Sequence, residues 1–283
     1  MCYNNLKGFF WRKRETAGLW GCKERRRERL PHFFRKIAGS KGGAFGCAPQ
    51  SVKPPTSIMK GTVQMITFED LRRSDAVATY IQKADDSLSA LGYTEHSFAH
   101  VTKAASEAGK ILRILGYPQR EAELAQIAGY LHDIGNIVNR VDHAQSGAVM
   151  AFRILDKMGM DPAEIADVIS AIGNHDEGTA MPVNPVAAAL ILADKTDVRR
   201  SRVRNRDFAT FDIHDRVNYA VEDAETVITQ DHSAIVLKIS IDTRISAVMD
   251  YFEIFLGRML LCRKAAEKLG LKFQLVINGQ VLL

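Results

Sequence analysis

The chain has 283 residues, of which 46% are hydrophobic and 25% charged, with a formal net charge of +5. That composition supports a sizeable folded core. No apolar run reaches bilayer length and no signal-peptide pattern opens the chain, so neither a membrane-spanning nor a secreted protein is expected. The four cysteines, Cys2, Cys22, Cys47 and Cys262, form no CxxC pair. They suggest neither a disulfide framework nor a thiolate zinc site, which fits a reducing cytoplasm.

The positive charge is unevenly spread. Residues 1–58 hold 13 Lys/Arg against 3 Asp/Glu, more than the whole excess, so the remainder of the chain is net acidic. This segment contains Trp11-Arg12-Lys13-Arg14, Arg25-Arg26-Arg27 and Pro54-Pro55. Basic residues among aromatics are able to bind nucleic acid or an anionic surface. The plainer expectation is a disordered extension, or upstream sequence translated ahead of a start at Met59 or Met65.

From Thr67 the apolar spacing becomes helical. One helix begins at Asp75, and a second runs from about His96 to Leu115 with Val101, Ala104, Ala108, Ile111 and Leu112 on its face. A third, from about Arg120, carries Leu124, Ile127, Ala128 and Leu131 and ends at His132-Asp133, with Gly135 as its terminator. A fourth follows His143 with Val149, Phe152, Leu155 and Met158 as its stripe. The fifth opens on Asp161-Pro162-Ala163-Glu164, which has the form of a capping box with proline in the first turn. Its stripe Ile165, Val168, Ile169 and Ile172 leads to His175. A sixth, after Asn184-Pro185, is apolar nearly all round from Val186 to Ala193 and ends in Asp194; it is expected at the centre.

After about residue 208 the pattern changes. Ala234–Ile241 reads as a strand, Ile245–Leu269 as a long amphipathic helix and Lys272–Ile277 as a second strand. Asn278-Gly279 signals a hairpin turn into a short returning strand. The expected organisation is an extension over 1–58, a mainly α helical domain over 59–208 and a small α+β C-terminal region over 209–283.

Five of the eight histidines fall between residues 96 and 175. His100, His132, Asp133, His143, His175 and Asp194 lie on or at the ends of five successive helices, and packed helices can bring such residues into one interior pocket. Six nitrogen and oxygen ligands exceed the needs of one catalytic ion with open positions and suit a pair bridged by a carboxylate. Imidazole and carboxylate without thiolate favour Fe, Mn, Co, Ni or Zn.

The order H…HD…H…H…D resembles the HD-domain superfamily of metal-dependent phosphohydrolases. Leu131-His132-Asp133-Ile134-Gly135 matches its central motif, and His143-Ala144-Gln145-Ser146-Gly147-Ala148 is similar to the third-histidine segment of its two-metal branch. The resemblance covers roughly residues 70–200. It implies an HD-domain helical bundle in which His100, His132, Asp133 and Asp194 hold one divalent transition-metal ion. Asp133 would bridge to a second held by His143 and His175. It further implies hydrolysis of a phosphate ester or anhydride, with a nucleotide-type small molecule as substrate and a hydroxide between the two cations as nucleophile.

His132, Asp133 and Lys195 are then the expected catalytic residues. His96, Asn136, Arg199 and Arg200 are the expected substrate contacts, alongside Arg202 and Arg204; the plainer reading of the basic run is a solvated turn. Asp197 is placed to orient a ligand. Many two-metal members continue HDxGK, and Asn136 stands in the lysine position here. The GYP signature of cyclic-di-GMP phosphodiesterases does not follow His175-Asp176-Glu177. The same ligand set serves a di-iron oxygenase, as in proteins resembling myo-inositol oxygenase, and a nucleotide-sensing module is a third alternative. Neither nucleic acid nor membrane is an expected partner of the folded part, and a homodimer is open.

Overall fold

The computed structural model describes residues 65–282, which belong to one compact unit. The expectations for residues 1–58 lie outside the described residues. Most of the helices start where a side chain satisfies a free amide group of the first turn. Thr67 forms a reciprocal capping box with Asp70 ahead of α1, Phe68–Arg72. Ser74 and Ser97 cap α2, Asp75–Ala90, and α3, Phe98–Ile114. The helix α4, Gln119–Leu131, follows Pro118 and is succeeded by a 3-10 turn at Ile134–Ile137.

Gly135 has a different role from the one expected. It ends no helix in the left-handed conformation. A Cβ there would lie 2.0 Å from the carbonyl oxygen of His143 and 2.5 Å from the amide nitrogen of Gly147. The 3-10 turn after His132-Asp133 thus presses directly on the first turn of α5, His143–Met158. Only a residue without a side chain allows that approach.

The buried face of α5 is Ala144, Gly147, Ala151 and Leu155. Val149 and Phe152, expected on that face, are 69% and 47% exposed. Small residues are what the short distance to the 3-10 turn permits, so the larger pair is turned outward. In α6, Pro162–Gly173, Asp161 accepts from the Ala163 amide at 2.8 Å. Glu164 does not complete the capping box; it forms a two-pronged pair with Arg120, at 2.6 and 2.5 Å. Asn184 and Pro185 start α7, Pro185–Lys195, whose residues from Val186 onward are all buried. This helix is the central one, packed by α3, α4 and α6.

Two further elements precede the first expected strand. The eight-residue α8, Ile213–Ala220, runs into β1, Val221–Ile228. Glu222, Asp223 and Glu225 interrupt the apolar alternation of β1, as suits an edge strand. β1 pairs antiparallel with β2, Ala234–Ile241, and β2 pairs parallel with β3, Lys272–Ile277. The crossover between β2 and β3 is α9, Val248–Lys268. Asn278 and Gly279, both at positive φ, turn the chain into β4, Gln280–Val281. α9 lies between β3 and α7, so the C-terminal region shares the core of the helical part. Among the described residues the architecture is mainly α with one small four-stranded sheet, and no helix is long and apolar enough to cross a membrane.

Candidate metal centre

The six histidines and aspartates singled out by spacing come from separate elements. His100 sits in the first turn of α3, His132 and Asp133 directly follow α4, and His143 opens α5. His175 lies two residues beyond α6, and Asp194 is in the last turn of α7. All six are buried. Their rings form a continuous row, with centroids 5.2 Å apart for His100–His132, 4.9 Å for His132–His175 and 5.1 Å for His143–His175.

One arrangement recurs at all four histidines. His132 Nδ1 is 2.8 Å from the Gly129 carbonyl oxygen, His143 Nδ1 3.1 Å from that of Arg140 and His175 Nδ1 2.6 Å from that of Ile172. His100 Nδ1 lies 2.8 Å from Asp197 Oδ2. An oxygen acceptor at Nδ1 assigns the proton to that nitrogen and leaves Nε2 as a lone pair. The four Nε2 atoms point inward, and those of His143 and His175 are 3.2 Å apart.

Carboxylates complete the cluster. Asp133 turns its two oxygens to different histidines: Oδ2 is 3.2 Å from His132 Nε2 and 3.6 Å from His100 Nε2, while Oδ1 is 3.6 Å from His143 Nε2. Asp194 Oδ1 is 3.3 Å from His100 Nε2 and 3.7 Å from His132 Nε2. His100 Nε2, His132 Nε2 and Asp133 Oδ2 are buried without a hydrogen-bond partner. Buried lone pairs facing one another are costly unless a cation lies among them. Three overlapping sets have the spacing to hold one: His100-His132-Asp133, His132-His175-Asp194 and Asp133-His143-His175. The donor set therefore fits divalent metal, and imidazole nitrogen with carboxylate oxygen suits a first-row transition ion.

The electrostatics keep His143, His175 and both carboxylates in the forms a metal needs, and act the other way on His132. Burial lowers the His175 pKa well below its ordinary 6.5, with His132 and Lys195 adding to the effect, and burial also lowers that of His143. Burial acts in the same direction on His132, but the carboxylate of Asp133 outweighs it and leaves that pKa raised. Burial opposes ionisation of Asp133 and Asp194. His132 beside the first and Lys195 beside the second more than offset this, and both carboxyls stay well below the usual range.

Asp197 orients His100 and is itself held by Lys103 Nζ at 2.8 Å and Arg199 Nε at 2.9 Å. Asn136 is buried. Its Nδ2 donates to Asp133 Oδ1 at 3.0 Å, and its Oδ1 accepts from Arg140 Nη1 at 3.2 Å. It therefore steadies Asp133 where a substrate contact was expected. Lys195 is buried between Asp194 Oδ2, at 2.8 Å, and Glu177 Oε2, at 3.4 Å. His96 is half-buried, with Nδ1 on the Thr94 carbonyl oxygen at 2.7 Å and its ring centroid 5.5 Å from that of His100.

The basic run after Asp194 is placed otherwise than expected. Arg199 pairs with Asp197 and with Glu95, at 3.2 Å. Arg200 donates to the Tyr219 carbonyl oxygen at 2.6 Å and lies over that ring. Arg202 is buried against the Asp197 and Glu95 carbonyl oxygens, and Arg204 pairs with Asp85. A net-acidic fold offers these guanidinium groups internal partners. Two neighbours were not anticipated. Arg140 Nη1 is 3.4 Å from His143 Nε2, and Arg258 of α9 pairs with Glu177 at 2.6 Å. No local pattern marks either one, since both are brought in by packing.

A model of the HD domain matches residues 93–199, a stretch that contains all six cluster residues. Residues 93–199 are an HD domain. Over 168 residues it is 27% identical to an uncharacterised protein of Methanocaldococcus jannaschii, a match covering 52% of this chain and 64% of that protein. The chain thus spans less than two thirds of that relative's length. A solved structure, of a predicted HD superfamily hydrolase from an uncultured Thermotogales bacterium, shares 25% identity and covers 44% of this chain and 67% of its own, with a TM-score of 0.36.

Proposed function

We propose that this HD-domain protein is a cytoplasmic metal-dependent phosphohydrolase acting on a phosphate ester or anhydride of nucleotide type. The observation that carries the reading is the common arrangement of the four histidines. Each is fixed at Nδ1 by an oxygen; His100, His132 and His143 present Nε2 to Asp133, whose two oxygens face different histidines, and His175 Nε2 lies 3.2 Å from that of His143.

His100, His132, Asp133 and Asp194 would hold one divalent cation, and His143 and His175 a second shared through Asp133. Bound there, the two ions supply the acidification of water and the charge neutralisation that phosphoryl transfer needs. The chain's own residues do the rest. Asn136 and His132 hold Asp133 in its two-sided orientation, and Asp197 fixes His100, as outer hydrogen bonds commonly do for metal-ligating imidazoles. Lys195 balances Asp194 and Glu177, so it acts here as a positioning residue. Arg140, beside His143, is placed to meet an anionic oxygen and to counter charge developing on it.

The test is metal analysis of protein purified without air, followed by phosphate release from a panel of nucleotides and dinucleoside polyphosphates after reconstitution with Mn, Fe, Co or Zn. Metal-dependent phosphate release is expected. Substrate-dependent oxygen consumption with no phosphate release would favour the oxygenase reading.

A further inference from the structure

A cavity of about 380 Å³ adjoins the cluster, and its walls come from three distant parts of the chain. Tyr93 and His96 precede α3, Arg140 lies in the loop before α5, and Asp212, Asp215 and Arg258 belong to the C-terminal region. The cavity borders both ends of the row of rings. His96 lies against His100, with ring centroids 5.5 Å apart, and Arg140 Nη1 is 3.4 Å from His143 Nε2. None of the six cluster residues lines the cavity itself, but two of its lining residues, His96 and Arg140, each touch a ligand at one end of the row.

Its charge is arranged by region. Arg140 is half-buried, and among the described residues no carboxylate pairs with it. Its side-chain hydrogen-bond partners there are Asn136 Oδ1 and His143 Nε2, and its guanidinium lies 5.7 Å from the centroid of the Tyr93 ring. A guanidinium half out of water beside a metal ligand is repelled once cations are bound, unless an anion lies between them. Arg258 spends Nε on Glu177, and a planar guanidinium still has its remaining donors for a second anion. Glu177 in turn pairs with Lys195 and so connects Arg258 to the ligand Asp194. Asp212 and Asp215 bring the opposite character from α8. One oxygen of Asp212 caps α8 by accepting from the Asp215 amide at 2.8 Å, and the other lies 3.9 Å from His214 Nδ1, which also lines the cavity. Two carboxylates reject a phosphate at that wall and accept from hydroxyl or ammonium groups.

We infer that this cavity is the substrate chamber, with Arg140 and Arg258 as the phosphate contacts and Asp212 and Asp215 as acceptors for a hydroxylated organic part. The inference rests on the phosphohydrolase reading above and deepens it. The substrate class is a compact phosphomonoester of a polyhydroxylated body. The volume lies near the lower end of the roughly 300–1,000 Å³ usual for small-molecule sites, which suits one sugar- or nucleoside-sized body and not two joined. The C-terminal region is then a working wall of the site.

The experiment uses the full chain and two readouts. Affinity for inorganic phosphate is measured by calorimetry for the wild type, Arg140→Ala, Arg258→Ala and Arg258→Lys, each checked for metal content and melting temperature. Loss of a charge-assisted contact predicts affinity reduced about tenfold or more in both alanine variants, with metal content retained. Reaction of Arg140 and Arg258 with phenylglyoxal, followed by mass spectrometry on the wild type, requires no variant to fold. Inorganic phosphate should protect both residues. Wild-type phosphate affinity in the alanine variants, or no protection, overturns the inference.

Turnover of ribose 5-phosphate against p-nitrophenyl phosphate supplies the second arm. Asp212→Asn and Asp215→Asn should narrow the wild-type preference, in kcat/KM, for the hydroxylated ester. An unchanged preference overturns the role given to the carboxylates. Phosphate binding that depends on both arginines, in a metal-loaded protein that releases phosphate from no ester, would contradict the proposed function while leaving the chamber in place.

Discussion

Replacing Gly135 with alanine is the most direct way to test how the HD turn is coupled to the rest of the centre. The added Cβ would stand 2.0 Å from the His143 carbonyl oxygen and 2.5 Å from the Gly147 amide nitrogen. Both are backbone atoms, so no flexible side chain can yield, and the turn and α5 must separate. Overpacking of this kind costs about 3 kcal/mol, at the upper end of the usual range. For a folded unit of this size that corresponds to a fall in Tm of about 6–12 °C. His143 and Asp133 sit on opposite sides of the contact, so separation also lengthens the distance between His143 Nε2 and Asp133 Oδ1, now 3.6 Å. Thermal denaturation of the chelated and metal-loaded protein checks both effects, and the metal-dependent gain in Tm should shrink in the variant. Gly257→Ala is the control: nothing lies within 4 Å of its Cβ in the interior of α9, and it should stabilise by about 0.5–1 kcal/mol. A Gly135→Ala protein that melted with the wild type and bound metal equally would refute the reasoning.

Asp133→Ala removes the carboxylate that faces both histidine sets; metal analysis should find both ions lost and turnover abolished, while a metal-loaded, active variant would contradict its assigned role. Asp197→Asn leaves His100 less firmly oriented and should weaken metal binding by about 10–100-fold, measured by competition with a chelating dye; unchanged affinity would show that Asp197 serves packing alone. The chelated protein should also lose stability in mild acid. His96, His143 and His175 have pKa values lowered from 6.5, chiefly by burial. The unfolded chain therefore takes up protons more readily, and their contribution is present above 6.5 and lost as pH falls below it. His132, with a raised pKa, works in the opposite sense but is a single group. Tm recorded from about pH 7 to 5 should decline, and a flat or rising profile would contradict the assignment.

The helical body was legible because its signals are local. Apolar spacing and caps placed the start of α2 and the extents of α3, α6 and α7 close to those observed, and the unbroken apolar run of α7 marked it as central. The cluster residues stood out because an imidazole or carboxylate at the end of such a stripe is unusual enough to notice in series. What escaped was set by tertiary contact. α8 and β1 are short, and β1 carries acidic residues that mask its alternation. The outward turn of Val149 and Phe152 follows from how closely α5 approaches Gly135, which spacing alone does not disclose. Arg199 and Arg200 looked available for phosphate, yet Asp197, Glu95 and the Tyr219 carbonyl, all distant in sequence or turned by the loop, take them up. Arg140 and Arg258 carry no motif; only the assembled cavity brings them together.

Metal stoichiometry tests the central claim most directly. Protein purified anaerobically and reconstituted with Mn or Fe should contain about two ions per chain, and His143→Ala/His175→Ala should retain about one. A wild-type protein that takes up a single ion, or a double variant that still holds two, would contradict a shared pair bridged by Asp133.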